Sequence, residues 1–259
     1  MAMGKWCTNP HAGEFTYDRV SLRKAWGRLH AGDAEPLPQD DAVLDAWALF
    51  HNGEFQKAAE AGLAAGGAGI TVANKATAIH ANYLEKKEKN KLELLMQVAE
   101  RAKAQAAQDA TNANAWYWQG YALGRYSQSI SVAKALAQGL GHRVKEAFET
   151  TIRLQPNHAD AHVALGAFHA EVIDKVGSLI GSMTYGAKKE AGLRLFRRAL
   201  EIHPESPIAI IECANGLLML EGEMKLKEAT RLYEQAAACI PMDATEQLDV
   251  GLAKAELDN

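Results

Sequence analysis

A chain of 259 residues with 48% apolar and 23% charged residues has the material for a sizeable hydrophobic core. Its net charge of −4, pI ≈ 6.1 and mean hydropathy of −0.22 lack the basic excess of a nucleic-acid-binding domain, so no nucleic-acid partner is expected. Cys7, Cys213 and Cys239 form no C-x-x-C pair and suit reduced thiols better than a zinc site or a disulfide framework, and no run reaches the ~18 apolar residues of a membrane helix.

In chain order, "MAMGKWCTNPHAGEF" lacks the apolar stretch of a secretion signal, which leads to the expectation of a cytoplasmic protein unless a signal peptide has been removed. Residues 14–31 read as an amphipathic helix, with Leu22, Ala25, Trp26 and Leu29 on one side and Arg19, Arg23, Lys24 and Arg28 elsewhere. "PLPQ" at 36–39 separates this N-terminal extension, residues 1–35, from an array over residues 36–259. The helix of the extension is expected to cap the first hydrophobic face of that array.

"DDAVLDAWALFHNGEFQKAAEAG" (40–62) reads as a helical hairpin: Asp40 or Asp41 caps the first helix, Gly53 breaks it, and Ala58 and Ala61 let a second helix approach. "GGAG" at 66–69 is a turn between hairpins. A further hairpin follows, in which Leu92, Leu95, Met96, Ala99 and Ala106 keep helical spacing and "EKKEKNK" is the charged turn. Downstream, "TTIRLQPNHADAHVALGAFH" (150–169), "RRALEIHPESPIAIIECANGLL" (197–218) and "EQAAACIPMDA" (234–244) each end a periodic helix in Pro156, Pro204 or Pro241. "KAQAAQDATNANAWYWQGYALG" (103–124) is a degenerate copy, with Ala110 in the proline place.

This pattern resembles the tetratricopeptide repeat, whose W-x2-L-G-x2-Y…A-x3-F…P signature is met by Trp116 and Gly120, and by Leu165 and Gly166 with His162 and His169 in the aromatic places. Phe196, Ala199 and Pro204, Phe148 with Pro156, and Tyr233 with Ala236 and Pro241 supply the closing helices. The resemblance implies an all-α solenoid of about five hairpins with terminal cap helices. At the C-terminal end Asp243 is expected to cap a helix whose Leu248, Leu252, Ala255 and Leu257 pack on the last hairpin.

Spacing adds a second feature. Ala110 and Pro156 are 46 residues apart, Pro156 and Pro204 are 48, and Pro204 and Pro241 are 37. Against a repeat of about 34, two adjacent hairpins carry roughly 12 and 14 extra residues, placed at the turn between their paired helices. Both insertions run from an apolar stretch through glycine to a basic pair. Ile130, Ala133, Leu136, Ala137 and Leu140 in the first, and Val176, Leu179, Ile180 and Met183 in the second, make helical stripes. The stripes are expected to fold over the stack and be buried, to build a binding surface or subunit contact, or to do both.

With "ALGR" before the first insertion and "MTYGAKKEA" in the second, residues 90–257 are similar to the regulator-of-microtubule-dynamics-like proteins, and to the repeat subunits that accompany tripartite periplasmic transporters. Members of the transporter group carry a secretion signal that the residues at this N-terminus do not show. The resemblance implies a scaffold, or alternatively a self-associating, ligand-holding accessory of a transport system.

Chemistry is not announced. His158 and His162 are four apart, and His162 and His169 seven, near Glu171 and Asp174. This spacing mimics a metal site, but two of the three histidines fall on aromatic core places of the repeat. There is no G-x-S-x-G, no P-loop and no strand for a G-x-G-x-x-G to follow, so neither catalysis nor a cofactor is expected. For a peptide groove, the repeat places that clamp a terminal carboxylate in chaperone-binding relatives hold Tyr117 and Tyr121, Val163 and Ala167, Ile211 and Asn215. The clamp is absent. Tyr117, Tyr121, Val163, Ile211 and Leu218, with Arg125 and Asn215 as polar anchors, suit an apolar or helical segment instead. The expected partner is therefore a protein or peptide, or a second copy of the chain.

Overall fold

A computed structural model describes residues 4–258. Its regular structure is helical throughout, with no strand among the described residues. The helices are α1 (Arg19–Leu29), α2 (Asp41–His51), α3 (Phe55–Ala65), α4 (Gly69–Ile79), α5 (Glu88–Gln108), α6 (Ala113–Gln128), α7 (Val132–Ala137), α8 (Leu140–Leu154), α9 (Ala159–Val176), α10 (Ser178–Tyr185), α11 (Lys189–Ile202), α12 (Pro207–Glu221), α13 (Leu226–Ala237) and α14 (Ala244–Leu257). A π-helical turn, His80–Leu84, extends α4, and a 3₁₀ turn, Gly222–Lys225, precedes α13.

Contacts divide the chain into two compact units. The first holds the described residues up to His30, Glu35–Thr150 and Met242–Thr245; the second holds Ala31–Ala34, Thr151–Pro241 and the chain from Glu246 onward.

In the first unit α2 packs on α3, α3 on α4, α4 on α5 and α5 on α6. Short polar side chains start these helices. Asp40 accepts from the Ala42 amide and Asn112 from the Ala115 amide, each satisfying a donor that the first turn leaves open. Gly53, at φ +82, closes α2 where a side chain would meet Asn9 and Ala12. α5 buries Leu95, Val98, Ala99, Ala102 and Ala106, the three-and-four spacing of one helix face. α1 lies on α2 through Leu22 and Trp26, and Arg19 reaches Asp41 and Asp45.

In the second unit α9 packs on α11 and α12, and α12 packs on α13. Phe196 from α11 fills the gap between Gly166 of α9 and Gly216 of α12, and a β-carbon on Gly166 would lie 3.0 Å from its ring. α14 contributes Ala253 to a cluster with Ile210, Ile211, Tyr233 and Ala236. The face it buries, Val250 and Ala253, is not the expected one: Leu252 and Leu257 are exposed.

Candidate functional site

The two segments read as insertions hold the short helices α7 and α10. α9 continues to Val176 and ends at Gly177, φ +82, from which α10 turns back. α10 packs against α9 through Gly181, where a β-carbon would lie 3.0 Å from Val172 Cγ1, and the Tyr185 ring meets Phe168 edge-on at 6.3 Å. That contact uses the small side of the helix. The apolar side faces out: Leu179 is 74% exposed, Ile180 57% and Met183 81%, while Val176 is half-buried.

Residues 176–187 carry no charge. Of the lysines around this stretch, Lys175 pairs with Glu171 at 3.7 Å and Lys189 with Glu221 at 3.0 Å. Lys189 thereby ties the start of α11 to the end of α12, after which Met224 and Leu226 are exposed as well. The result is an uncharged, outward-facing aliphatic patch. The first insertion is milder. Val132 and Leu136 are about half exposed and Ile130 is partly covered, but Leu140 is buried at the start of α8 and belongs to the core, not to the insertion surface.

The expected groove residues divide similarly. Tyr117, Val163 and Ile211 are buried and cannot meet a partner. Tyr117 sits among the rings of Trp118, Tyr121 and Phe148; Val163 packs with Phe196, Ala199 and Ala209; Ile211 lies in the cluster that includes Ala253 of α14. Tyr121, Arg125, Asn215 and Leu218 are partly accessible, and they too are held: the Arg125 guanidinium lies 5.4 Å from the Tyr121 ring centre, Asn215 accepts from the Tyr233 hydroxyl, and Leu218 packs on the cluster around Ile211.

The three spaced histidines do structural work. His158 caps α9 by accepting from the Ala161 amide at 3.1 Å. His162 Nε2 lies 3.0 Å from the Pro156 carbonyl, and burial lowers its pKa against the pull of that bond. His169 accepts from the Lys188 amide at 3.3 Å, pinning the start of α11. Among the described residues no group of three or more His, Cys, Asp or Glu side chains is placed to hold a metal ion.

Sequence reasoning missed the polar groups in the first unit. His51, fully buried, donates through Nδ1 to Asp243 at 2.7 Å, and its Nε2 lies 3.2 Å from His30 Nε2. Trp26 stacks on His30 at 4.0 Å and Trp47 meets it edge-on at 4.6 Å. Nearby, Arg101 bonds Asn74 Oδ1 and the Thr77 hydroxyl at 3.0 and 2.8 Å, and burial pushes its pKa down to about 10. His80 is buried with neither ring nitrogen bonded, stacked at 4.3 Å on Trp6. Burial lowers its pKa to about 4. The hydrogen-bonded partners in these groups lie 21 to 192 residues apart, so no local pattern marks them.

A scan against protein-family models finds no match, and a search of curated proteins finds no relative. No helix among the described residues is long and apolar enough to cross a membrane.

Proposed function

We propose that this chain is a non-enzymatic interaction protein of the tetratricopeptide-repeat type, and that it docks an apolar segment of a protein partner on the outward face of α10. The observation that carries this reading is the exposure of Leu179, Ile180 and Met183 on a helix whose small face, not its apolar one, is packed. Support for the repeat type comes from the helix pairs and from Gly120 and Gly166, whose missing side chains make room for Phe148 and Phe196 of the next helix in each pair. Three largely exposed aliphatic side chains, each contributing about 1.5–3 kcal/mol when fully buried, would form a compact anchor group. The histidines that might have made a metal centre cap and pin helices instead, which favours a binding role over catalysis.

The test is affinity capture from cells that produce the protein, using the full chain and the triple variant Leu179→Ser, Ile180→Ser, Met183→Ser. A partner retained by the parent and lost by the variant is the expected result. If the parent instead self-associates with concentration in sedimentation and the variant does not, α10 is a subunit contact and the transport-accessory reading is favoured. Identical captures and a monomer in both would rule out α10 as the docking place.

A further inference from the structure

Residues 4–9 cross the first unit as an extended strap with no helix or strand of their own. Gly4, Lys5, Cys7 and Thr8 are exposed, while Trp6 and Asn9 are buried, so the strap holds on by two anchors three residues apart. The bonds that hold it run through side chains: the Trp6 amide donates to Gln56 Oε1 at 2.9 Å, Gln56 Nε2 donates to the Gly4 carbonyl, the Cys7 thiol to the Leu84 carbonyl, and Asn9 Nδ2 to the Gly53 carbonyl at 3.4 Å. This is how a bound peptide sits on a receptor. Its indole lies face to face on the His80 imidazole, with ring centres 4.3 Å apart and planes 14° apart. Beside it is a cavity of about 280 Å³ lined by Lys5, Trp6, Cys7, Gly53, Gln56 and Glu60.

The residue under the indole is the informative one. His80 is fully buried, opens the π-helical turn, and bonds through neither ring nitrogen. A place that only had to fill space beneath an indole would be met by an apolar side chain without leaving two polar atoms unsatisfied. An imidazole is instead a good platform for an aromatic ring that comes and goes, because it stacks on the ring when covered and is hydrated when open. Turns of π type inside helices are also concentrated at functional places.

We propose that the slot over His80 is a recognition site for an extended peptide segment of a partner protein anchored by a tryptophan, and that residues 4–9 are its occupant in cis, blocking the site until they are displaced. The occupant's chemistry is read from the strap: an indole to cover His80, a backbone amide and carbonyl for Gln56, and a small side-chain amide three residues later for the Gly53 carbonyl. A covalently attached strap competes at a high effective concentration, so it needs little intrinsic affinity to keep the slot closed.

The test uses the full chain carrying Trp6→Ala and a synthetic peptide of sequence GKWCTNP as probe. Calorimetry is expected to show saturable one-to-one binding to the variant, with affinity about thirtyfold weaker when the peptide's tryptophan is replaced by alanine, the loss typical of an aromatic anchor. The parent, with its slot filled, is expected to bind the same peptide more weakly than the variant. A variant that keeps the parent's helical content and melting profile but binds neither peptide, or binds both equally, overturns the proposal. Should the variant fail to fold, hydrogen exchange on the parent decides. Exchange over residues 4–9 that is fast while α3 and α4 stay protected supports a displaceable strap, and exchange there only on global unfolding overturns it.

Discussion

The Phe196 ring stands where a β-carbon on Gly216 would be, and it also closes to 3.0 Å of the place a β-carbon on Gly166 would take. One aromatic ring from α11 thus sets the spacing of α9 and α12 at once. Gly216→Val is expected to destabilise the chain by about 3 kcal/mol, since neither helix can retreat from a fully buried ring without opening its own core. Gly251→Ala is the control. Gly251 lies inside α14 with open space around it, so alanine there should stabilise by roughly 0.5–1 kcal/mol. Chemical denaturation of both variants checks the pair.

Asp243 has two duties. One carboxylate oxygen accepts from His51 and the other from the Thr245 amide at the start of α14. Asp243→Ala removes both and leaves the buried His51 Nδ1 without its acceptor, so a loss of about 2–4 kcal/mol is expected. Asp243→Asn keeps an acceptor and should lose less. If the two substitutions are equal in urea unfolding, the buried bond contributes nothing beyond the cap.

His80 makes a pH prediction with a definite sign. Its folded pKa is held near 4 by burial, with only weak opposition from Glu85, against 6.5 for an ordinary histidine. Between these values the unfolded chain takes up a proton that the folded chain refuses. The contribution to stability is therefore fully present above pH 6.5 and is lost as pH falls toward 4. His80→Phe retains a stacking ring without the titration. The difference in stability between parent and variant should change across pH 6.5 to 4 and stay flat above pH 7, as followed by thermal unfolding at fixed ionic strength.

Leu179→Ser, Ile180→Ser and Met183→Ser together should alter stability by less than about 1 kcal/mol, because these side chains are largely exposed already. Leu140→Ser in the other insertion should instead cost about 3 kcal/mol, because Leu140 is buried. The contrast separates an outward-facing stripe from one that has joined the core, and differential scanning calorimetry on the two variants reads it directly.

Much of the helical organisation was legible from local rules. Asp40, Asn112 and Ser206 mark helix starts because their short side chains satisfy open amides, and Gly53 and Gly66 mark ends because their backbones take positive φ. The side of each stripe that meets its neighbour was not legible. Leu179 and Met183 keep perfect helical spacing and still face solvent, because Gly181 on the other side of α10 allows the closer approach to α9; in α14, Val250 and Ala253 are buried while Leu252 and Leu257 are exposed.

The amino-acid sequence by itself determined the helical class and several helix ends, since each follows from neighbours within a few residues. Only the tertiary structure decided the partners of the buried polar groups: Asp243 against His51 across 192 residues, and Trp6 over His80 across a strap that has no periodicity to read. Hydrogen bonds and ring stacking act over a few ångströms in space, and folding alone brings such distant positions to that range.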